Sequence, residues 1–279
     1  MSAKSPAACV IGFPAKHSRS PKLHGYWLKH YGIDGDYRAE EIAPEQFEAF
    51  VTDLPGNGYV GANTTMPHKE EAFRLSEPDA KSKAIGAVNT LWIEGDRLKA
   101  TNTDGDGYAS SVDAVSPGWA TRIDNAVVLG AGGAARSIIY ALLDRGVKEV
   151  HVVNRTSAKA EAMREAFGSS VHPASWADAE RLLKETGLVV NTTALGMCGQ
   201  EPLELDLSGM RADAIVSDIV YVPLKTRLLA SAQARGLATT DGLAMLLHQA
   251  VEGFQLWFGK RPQVTVEQYA LMAEDIPKE

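Results

Sequence analysis

Short apolar runs alternate with amphipathic stretches along the first part of the chain, and this pattern predicts strands that alternate with helices. Residues 7–13, AACVIGF, form an apolar run typical of a buried strand, whereas residues 44–54, PEQFEAFVTDL, have the spacing of an amphipathic helix. Residues 87–105 contain two alternating segments around Glu94, Gly95 and Asp96, which predicts a hairpin. The first part of the chain is therefore expected to form one α/β unit.

The same alternation continues in a second unit, where the predicted strands are more apolar. Residues 125–146, NAVVLGAGGAARSIIYALLDRG, combine a strand, a glycine turn and a helix, and three further apolar strands follow by residue 221. This order is typical of a doubly wound parallel sheet. Helical stretches after residue 241 are expected to return to the first unit. We predict an α/β fold with two lobes, divided into residues 1–104, 105–240 and 241–279.

Composition and charge narrow the class of protein. The 279 residues are 45% hydrophobic and 23% charged, and the net charge of −7 argues against nucleic acid or an anionic membrane as the main partner. No apolar run reaches the ~18 residues of a membrane span. The cysteines, Cys9 and Cys198, have no metal-ligand spacing, so we expect no metal site. Cys9 lies in an apolar run typical of a buried thiol, which suits a reducing compartment, and the apolar segment near the N-terminus is too short for a signal peptide core, so we expect a cytoplasmic protein.

The segment GAGGAA, residues 130–135, follows a predicted strand and opens a predicted helix. Glycines there permit a tight turn and a close approach of the backbone, and the helix N-terminus offers amide donors to a pyrophosphate. Ala135 replaces the third glycine of the usual fingerprint, which is a permitted variant. A tight turn without a ligand is the alternative interpretation.

The next strand ends in Asn154, Arg155 and Thr156, with Lys159 beyond, and no carboxylate stands there to bind ribose hydroxyls. A carboxylate would be needed to repel a 2′-phosphate, whereas an arginine can stack on adenine and bond a phosphate. The sequence therefore predicts NADP rather than NAD. A solvated loop cation is the alternative for Arg155.

Hydroxyl and amide side chains follow nearly every predicted strand of the first unit, where strand ends converge on one edge of a sheet. Taken singly each has an ordinary explanation: Ser20 can cap a helix, Asp104 can begin a turn or a helix, and Asn89 can lie on an edge strand. Lys69 stands out because it lies one residue into a predicted helix, where the helix dipole disfavours a positive charge. The set comprises Ser18, Ser20, Asn63, Thr65, Lys69, Asn89, Thr90, Asn102, Thr103 and Asp104.

Ordered motifs along essentially the whole chain resemble those of the shikimate dehydrogenase family. They are HSRSP (17–21), GANTTMPHK (61–69), GAVNTL (86–91), TNTDGDG (101–107), GAGGAA (130–135), NRT (154–156), NTTALGM (191–197), DIVYVPLKTRLL (218–229) and GLAMLLHQA (242–250). The resemblance implies an enzyme that reduces 3-dehydroshikimate to shikimate with NADP(H). It also implies that residues 1–104 bind substrate and that residues 105–240 form a Rossmann-like NADP domain.

The resemblance also assigns roles to individual residues. Lys69 and Asp104 would form the catalytic pair. The residues implied to contact the substrate are Ser18, Ser20, Asn63, Thr65, Asn89, Tyr221 and Gln249. Those implied to hold NADP are Gly130, Ala131, Gly132, Gly133, Ala134, Asn154, Arg155, Thr156, Lys159, Ile219 and Gly242. The sequence does not set the oligomeric state, and a homodimer is compatible with it.

Some positions depart from the family pattern. Thr64 and Met66 replace apolar residues common in the family, and Ala194 replaces a serine, but no proposed catalytic group is lost.

Three rival functions stay open. A quinate dehydrogenase of the same fold would favour NAD, which the NRT segment argues against. A non-catalytic NADP-binding regulator would not need Lys69 and Asp104. A folate-type dehydrogenase does not account for the serine pair or for TNTDGDG.

Overall fold

The computed structural model describes residues 5–278, and these divide into two compact units. The first unit contains the residues up to Thr103 together with Gln249–Gln268. The second contains Asp104–His248 together with the residues from Tyr269 onward. Each unit is built around one six-stranded sheet, so the predicted α/β class and its two lobes are confirmed.

The sheet of the first unit is mixed, with the strand order β2-β1-β3-β5-β6-β4. Strands β1, β2 and β3 pair in parallel, whereas β3, β5 and β6 pair in antiparallel fashion and include the predicted hairpin at Gly95. The strands are β1 (Ala7–Gly12), β2 (Asp36–Glu41), β3 (Gly61–Thr64), β4 (Glu77–Pro78), β5 (Thr90–Glu94) and β6 (Arg97–Thr101).

The helices of the first unit are α1 (Ser20–Tyr31), α2 (Pro44–Thr52), α3 (Lys69–Leu75) and α4 (Ala80–Ile85). Gly32 ends α1 with φ 63°, as its sequence predicts. The interpretation of Ser20 as the cap of α1 is wrong. Ser20 is already the first helical residue, Arg19 occupies the cap position, and the Ser20 amide donates to Ser18 Oγ at 3.3 Å.

The sheet of the second unit is entirely parallel, with the order β12-β11-β10-β7-β8-β9, and apolar clusters cover both of its faces. This is the doubly wound arrangement that the sequence predicts. The strands are β7 (Asn125–Leu129), β8 (Glu149–Val153), β9 (Val171–Ala174), β10 (Leu188–Asn191), β11 (Ile215–Asp218) and β12 (Ala238–Asp241). The helices are α5 (Asp104–Val115), α6 (Gly133–Asp144), α7 (Ser157–Phe167), α8 (Ala179–Leu183) and α9 (Arg227–Ala234).

Two further helices, α10 (Gly242–Phe258) and α11 (Val266–Ala273), carry the chain back into the first unit and out again. Within the first unit, Trp257 Nε1 donates to the Leu91 carbonyl at 2.8 Å. Gly61 makes this approach possible, because a Cβ there would lie 2.0 Å from Trp257 Nε1. In the second unit, Tyr269 donates to the carboxylate of Asp241. Within residues 5–278, none of the helices combines the length and the apolar character that a bilayer crossing requires.

A buried histidine lies in the aromatic core of the first unit. The ring of His24 stacks on Tyr37 with centroids 4.0 Å apart and also contacts Trp27, Phe254 and Trp257. Neither ring nitrogen has a hydrogen-bond partner among the described residues. Burial lowers the pKa of His24 to about 3, so the ring stays neutral in the folded protein.

This histidine should make the folded state sensitive to acid. An unfolded histidine titrates near pH ~6.5. Below that pH the unfolded state therefore binds a proton at His24, whereas the folded state keeps the ring neutral. The free energy of unfolding should therefore fall by about 2 kcal/mol between pH 7 and pH 5 through His24 alone. We expect His24→Phe to remove this part of the decline, as measured by urea unfolding at both pH values.

His30→Phe provides the control, because His30 is exposed on the same helix. It should keep the decline of the unchanged protein. An equal fall in stability for the unchanged protein and His24→Phe would contradict the assignment to His24.

Candidate active site and dinucleotide site

A buried network of amides and hydroxyls joins the strand ends of the first unit. Asn89 is at its centre: its Oδ1 accepts from the Thr103 amide at 2.9 Å, and its Nδ2 donates to Gln249 Oε1 at 3.2 Å. Asn63 Nδ2 donates to the Asn89 carbonyl at 2.9 Å. The structure thus brings together three of the predicted substrate residues, Asn63, Asn89 and Gln249. Because buried polar groups without partners are costly, these bonds fix the side chains in place.

Tyr37 belongs to this network, although the sequence did not single it out. Its hydroxyl donates to Asn63 Oδ1 at 2.6 Å. Burial raises the pKa of Tyr37 well above its ordinary value, while a hydrogen bond with Ser20 opposes that rise, so the phenol remains a donor. The available signal in the sequence was weak: Tyr37 is the one aromatic residue of β2, and the structure shows it as the one buried position of that strand. Tyr37 therefore orients Asn63, and it ties the predicted residue Ser20 to the same region.

The backbone that carries Lys69 is held firmly from both sides. Lys69 is the first residue of α3, and its carbonyl accepts from the Val88 amide at 3.2 Å. The preceding residue, His68, is buried, stacks on Phe47 at 4.2 Å and donates from Nε2 to the Ile42 carbonyl at 2.8 Å. Burial lowers the pKa of His68, which keeps the ring neutral and suited to this bond. His68 thus anchors the start of α3.

The remaining predicted substrate and catalytic residues are divided between the units. Ser18 and Thr65 lie in the first unit, at the end of the loop after β1 and directly after β3. Asp104 is the buried first residue of α5, and Tyr221 follows β11, so both belong to the second unit. The pairing of Lys69 with Asp104 and the role of Tyr221 stay predictions.

A cavity of about 610 Å³ lies at the glycine turn of the second unit. Gly130 adopts φ 105°, and a Cβ there would lie 2.6 Å from Thr192 Oγ1, so the turn requires glycine. Six of the predicted cofactor residues line the cavity: Gly130, Ala131, Gly132, Asn154, Arg155 and Lys159. Gly133 and Ala134 form the first turn of α6, and Thr156 occupies the cap position of α7.

These residues fit a phosphorylated dinucleotide. Gly132 and Gly133 carry no side chain at the start of α6, and the space where a Cβ would stand is open. The amides of that helix start can therefore face a pyrophosphate. Arg155 and Lys159 place two cations at the same cavity, where a 2′-phosphate would need them. Asn154 holds the intervening loop by donating to the Thr156 carbonyl at 2.9 Å.

Several residues of this cavity were not predicted from the sequence. Two of them, Thr192 and Thr193, follow a buried strand and so fit the same strand-end pattern that identified the first-unit residues. Trp176 had no comparable signal, because it lies in a short 3-10 helix after β9. The lining residues outside the predicted cofactor set are Trp176, Thr192, Thr193, Ala194, Leu195, Gln200 and Glu201.

A buried carboxylate lies at the end of β11, beside the predicted cofactor residue Ile219. Asp218 Oδ1 accepts from Asn191 Nδ2 at 2.9 Å and from the Val220 amide at 3.0 Å, and Oδ2 accepts from Thr226 Oγ1 at 2.7 Å. Burial raises the pKa of Asp218 to about 6, and these three donors oppose the rise. Asp218 is not among the site residues predicted from the sequence.

Ile219 follows this carboxylate directly in the chain, and Gly242 contacts the same segment in space. The Ile219 amide donates to the Asn191 carbonyl at 3.0 Å, and the Gly242 amide donates to the Val220 carbonyl at 3.4 Å. Their contact with a cofactor stays a prediction. Within residues 5–278, no group of three or more His, Cys, Asp or Glu side chains is arranged to hold a metal ion.

Three family models match successive parts of the chain. Residues 10–91 match the shikimate dehydrogenase substrate binding domain, residues 118–198 match shikimate / quinate 5-dehydrogenase, and residues 242–266 match the shikimate 5'-dehydrogenase C-terminal domain. The chain is 55% identical over 276 residues to the shikimate dehydrogenase (NADP(+)) of Rhodopseudomonas palustris (strain TIE-1), covering 99% of each chain.

Solved structures of related dehydrogenases are also similar to this chain along nearly its whole length. Shikimate 5-dehydrogenase from Thermus thermophilus, in complex with NADP(H) and shikimate, is 32% identical with a TM-score of 0.84, and the match covers 96% of this chain and 98% of that one. Quinate dehydrogenase from Corynebacterium glutamicum, in complex with NAD, is 28% identical with a TM-score of 0.86, over 97% and 98% of the two chains.

The resemblance inferred from the motifs is thus confirmed by identity along nearly the whole length. The models also follow one another along the chain, from the first-unit strand ends through the glycine turn to α10. The chain belongs to the shikimate dehydrogenase (NADP+) family.

Proposed function

We propose that this protein reduces 3-dehydroshikimate to shikimate with Lys69 and Asp104 as its catalytic pair. Family membership confirms the predicted activity, that of an NADP-dependent shikimate dehydrogenase of the shikimate pathway. The observation that supports the residue assignments is the buried network of Asn63, Asn89 and Gln249. The side-chain amides of this network lie in the first unit, and residues 10–91 of that unit match the shikimate dehydrogenase substrate binding domain.

NADPH, when bound, supplies the hydride that reduces the ketone. The ketone oxygen gains negative charge as it is reduced, and we assign Lys69 to stabilise that charge and donate the proton. In the reverse direction the neutral amine accepts the proton from the alcohol. Asp104 is assigned to orient Lys69 and to bind a substrate hydroxyl. The rigid backbone at His68 supports this role, because proton transfer needs the amine held at hydrogen-bond distance.

The substrate carboxylate is assigned to Ser18, Ser20 and Tyr221. The ring hydroxyls are assigned to the remaining set of Asn63, Thr65, Asn89 and Gln249. A site that bonds hydroxyls rejects analogues that lack them, because its own buried polar groups would be left unpaired. Tyr37 supports this selectivity, since it holds Asn63 in one orientation.

A quinate dehydrogenase is the second candidate, because a quinate dehydrogenase in complex with NAD is among the structural neighbours. The end of β8 argues against this function here. Asn154, Arg155 and Thr156 stand where an NAD site usually has a carboxylate, and Arg155 and Lys159 line the cavity. A non-catalytic NADP-binding regulator would retain the cavity without turnover.

The proposed function is tested by initial rates of the purified protein with shikimate or quinate as substrate and NADP or NAD as cofactor. We expect shikimate with NADP to give the highest kcat/KM. A higher value with quinate would contradict the substrate assignment, and a higher value with NAD would contradict the role of Arg155. No turnover in any pairing, with NADPH still bound, would favour the regulator.

Removing the amine should slow the chemistry more than it weakens binding. We expect Lys69→Ala to lower kcat by about 10²- to 10⁴-fold, the range typical of a general acid or base, with a KM for shikimate within a few-fold. Steady-state kinetics measure both. Lys83→Ala is the control, because Lys83 is exposed in the same unit, and it should leave both constants unchanged. A Lys69→Ala variant with near-normal kcat would exclude the catalytic role.

Removing the guanidinium should weaken NADP selectively. A hydrogen bond to a charged group contributes about 1.5–3 kcal/mol, so Arg155→Ala should raise the Kd for NADP by ~10- to 100-fold and the Kd for NAD by much less. Calorimetric titration of both cofactors measures the two changes. Arg164→Ala is the control, since Arg164 is exposed on α7. Equal increases in the Kd for NADP and the Kd for NAD would show that Arg155 does not bind the 2′-phosphate.

The cytoplasmic location and the homodimer stay predictions of the sequence. The free thiols of Cys9 and Cys198 suit a reducing compartment and so support the first. For the second, the molar mass in solution can be compared by light scattering with the 30.0 kDa of one chain.

A further inference from the structure

Asp218 joins three separate segments of the second unit through one carboxylate. The donors are the Asn191 side chain at the end of β10, the Val220 amide after β11 and the Thr226 hydroxyl at the start of α9. Asp218 and Asn191 are both 0% exposed. An ionised carboxylate only accepts hydrogen bonds, so it matches three converging donors without conflict.

The carboxylate also fixes the orientation of the Asn191 amide. Asn191 Nδ2 must face Asp218, and it donates in addition to the Leu195 carbonyl at 3.0 Å. This leaves Asn191 Oδ1 to accept from the amide of Thr193 at 3.0 Å and from its hydroxyl at 2.7 Å. Residues 192–195, which we call the cofactor loop, line the dinucleotide cavity. Asp218 therefore acts on this loop through Asn191.

On its other side, Asp218 sets the course of residues 219–221. Its bond with the Val220 amide holds the peptide between Ile219 and Val220, and Val220 separates the two predicted site residues Ile219 and Tyr221. The Ile219 amide donates to the Asn191 carbonyl at 3.0 Å, so the segment is held at two neighbouring strand ends, those of β10 and β11. One buried carboxylate thus controls both the cofactor loop and the segment that follows β11.

We propose that Asp218 is a positioning residue for hydride transfer, holding the cofactor loop and residues 219–221 in the relative placement that aligns bound NADPH with the substrate. The inference rests on the proposed function, because it concerns the geometry of that reaction. Asp218 itself need not touch the cofactor: it acts through Asn191 and Val220. A misplacement of about 1 Å in a reacting group can reduce turnover ~10²-fold, so a displaced loop is enough to slow the chemistry.

Asp218→Asn tests this inference with little change in volume. An asparagine presents one acceptor oxygen and one NH₂ group, so the charge is lost. An NH₂ group in the place of Oδ1 would face the N–H groups of Asn191 and Val220, and one in the place of Oδ2 would force the Thr226 hydroxyl to accept instead of donate. We expect kcat to fall about tenfold, which a displacement of less than 1 Å is enough to cause. We also expect a higher KM for NADPH and a larger deuterium isotope effect on kcat with NADPH labelled at the transferred hydrogen. The isotope effect rises because hydride transfer becomes more rate-limiting.

Two further variants separate positioning from simple loss of fold. Asp213→Asn makes the same change at an exposed aspartate just before β11, where the carboxylate binds Arg211, and it should leave all three quantities unchanged. Asn191→Ala removes the link to the cofactor loop but leaves the Val220 and Thr226 bonds to Asp218. It should reproduce the larger isotope effect, and the double variant should be no slower than the slower single variant.

Several results would overturn the inference. One is a kcat for Asp218→Asn within twofold of the unchanged protein. Another is a loss of activity that is explained entirely by a smaller fraction of protein able to bind NADPH, with the KM for NADPH and the isotope effect unchanged. Such a loss would show that Asp218 has a structural role alone. Additive losses in the double variant would exclude action through Asn191. If the unchanged protein turned over no substrate, the proposed function would fail first, and an unaltered Kd for NADPH in Asp218→Asn would then exclude control of the cofactor loop.

Discussion

The requirement that buried polar groups find partners governs the region where the first unit carries its predicted substrate residues. Asn63, Asn89, Thr103 and Gln249 are nearly inaccessible to solvent, and each is held by bonds to the others or to backbone. An unpaired amide at such a site costs about 1–3 kcal/mol, so each partner restricts the next. The strand ends are therefore fixed to one another by the protein's own hydrogen bonds. A site that binds substrate hydroxyls needs side chains preorganised in this way.

In the second unit the same requirement applies to a charge. A buried carboxylate is more costly than a buried amide, and the raised pKa of Asp218, about 6, reflects that cost. Three donors partly offset it, and each comes from a different segment of chain. The carboxylate therefore joins the ends of the paired strands β10 and β11 to the start of α9. Thr192, which follows β10, also lies against the glycine turn, because a Cβ at Gly130 would be 2.6 Å from its Oγ1.

The patterns that could be recognised in the sequence are local ones. The strand-turn-helix order around GAGGAA, the hairpin at Gly95 and the polar residues after each strand all depend on neighbours within a few positions, and each was found in the structure. Tyr37 lies near the start of β2 and so does not fit the strand-end pattern, and its role depends on a bond to Asn63 that the sequence does not reveal. Asp218 ends β11 and fits the pattern, but its pairing with Asn191 and Thr226 is visible only in the structure. The prediction that Ser20 caps α1 was wrong for another reason. Ser18, Arg19 and Ser20 are consecutive polar residues, and their residue types alone do not show which of them precedes the first helical turn.

The order in which the chain passes between the two units has a consequence for biosynthesis. The chain runs through the first unit, then the second, then the first again at Gln249–Gln268, and then the second. The indole of Trp257 and the ring of Phe254, which complete the aromatic core around His24, are therefore translated only after the whole of Asp104–His248. Tyr269, which bonds Asp241 in the second unit, follows later still. On the ribosome, the aromatic core of the first unit thus stays incomplete until Gln249–Gln268 has been made, whereas the two apolar clusters of the second unit use only residues that precede Gln249.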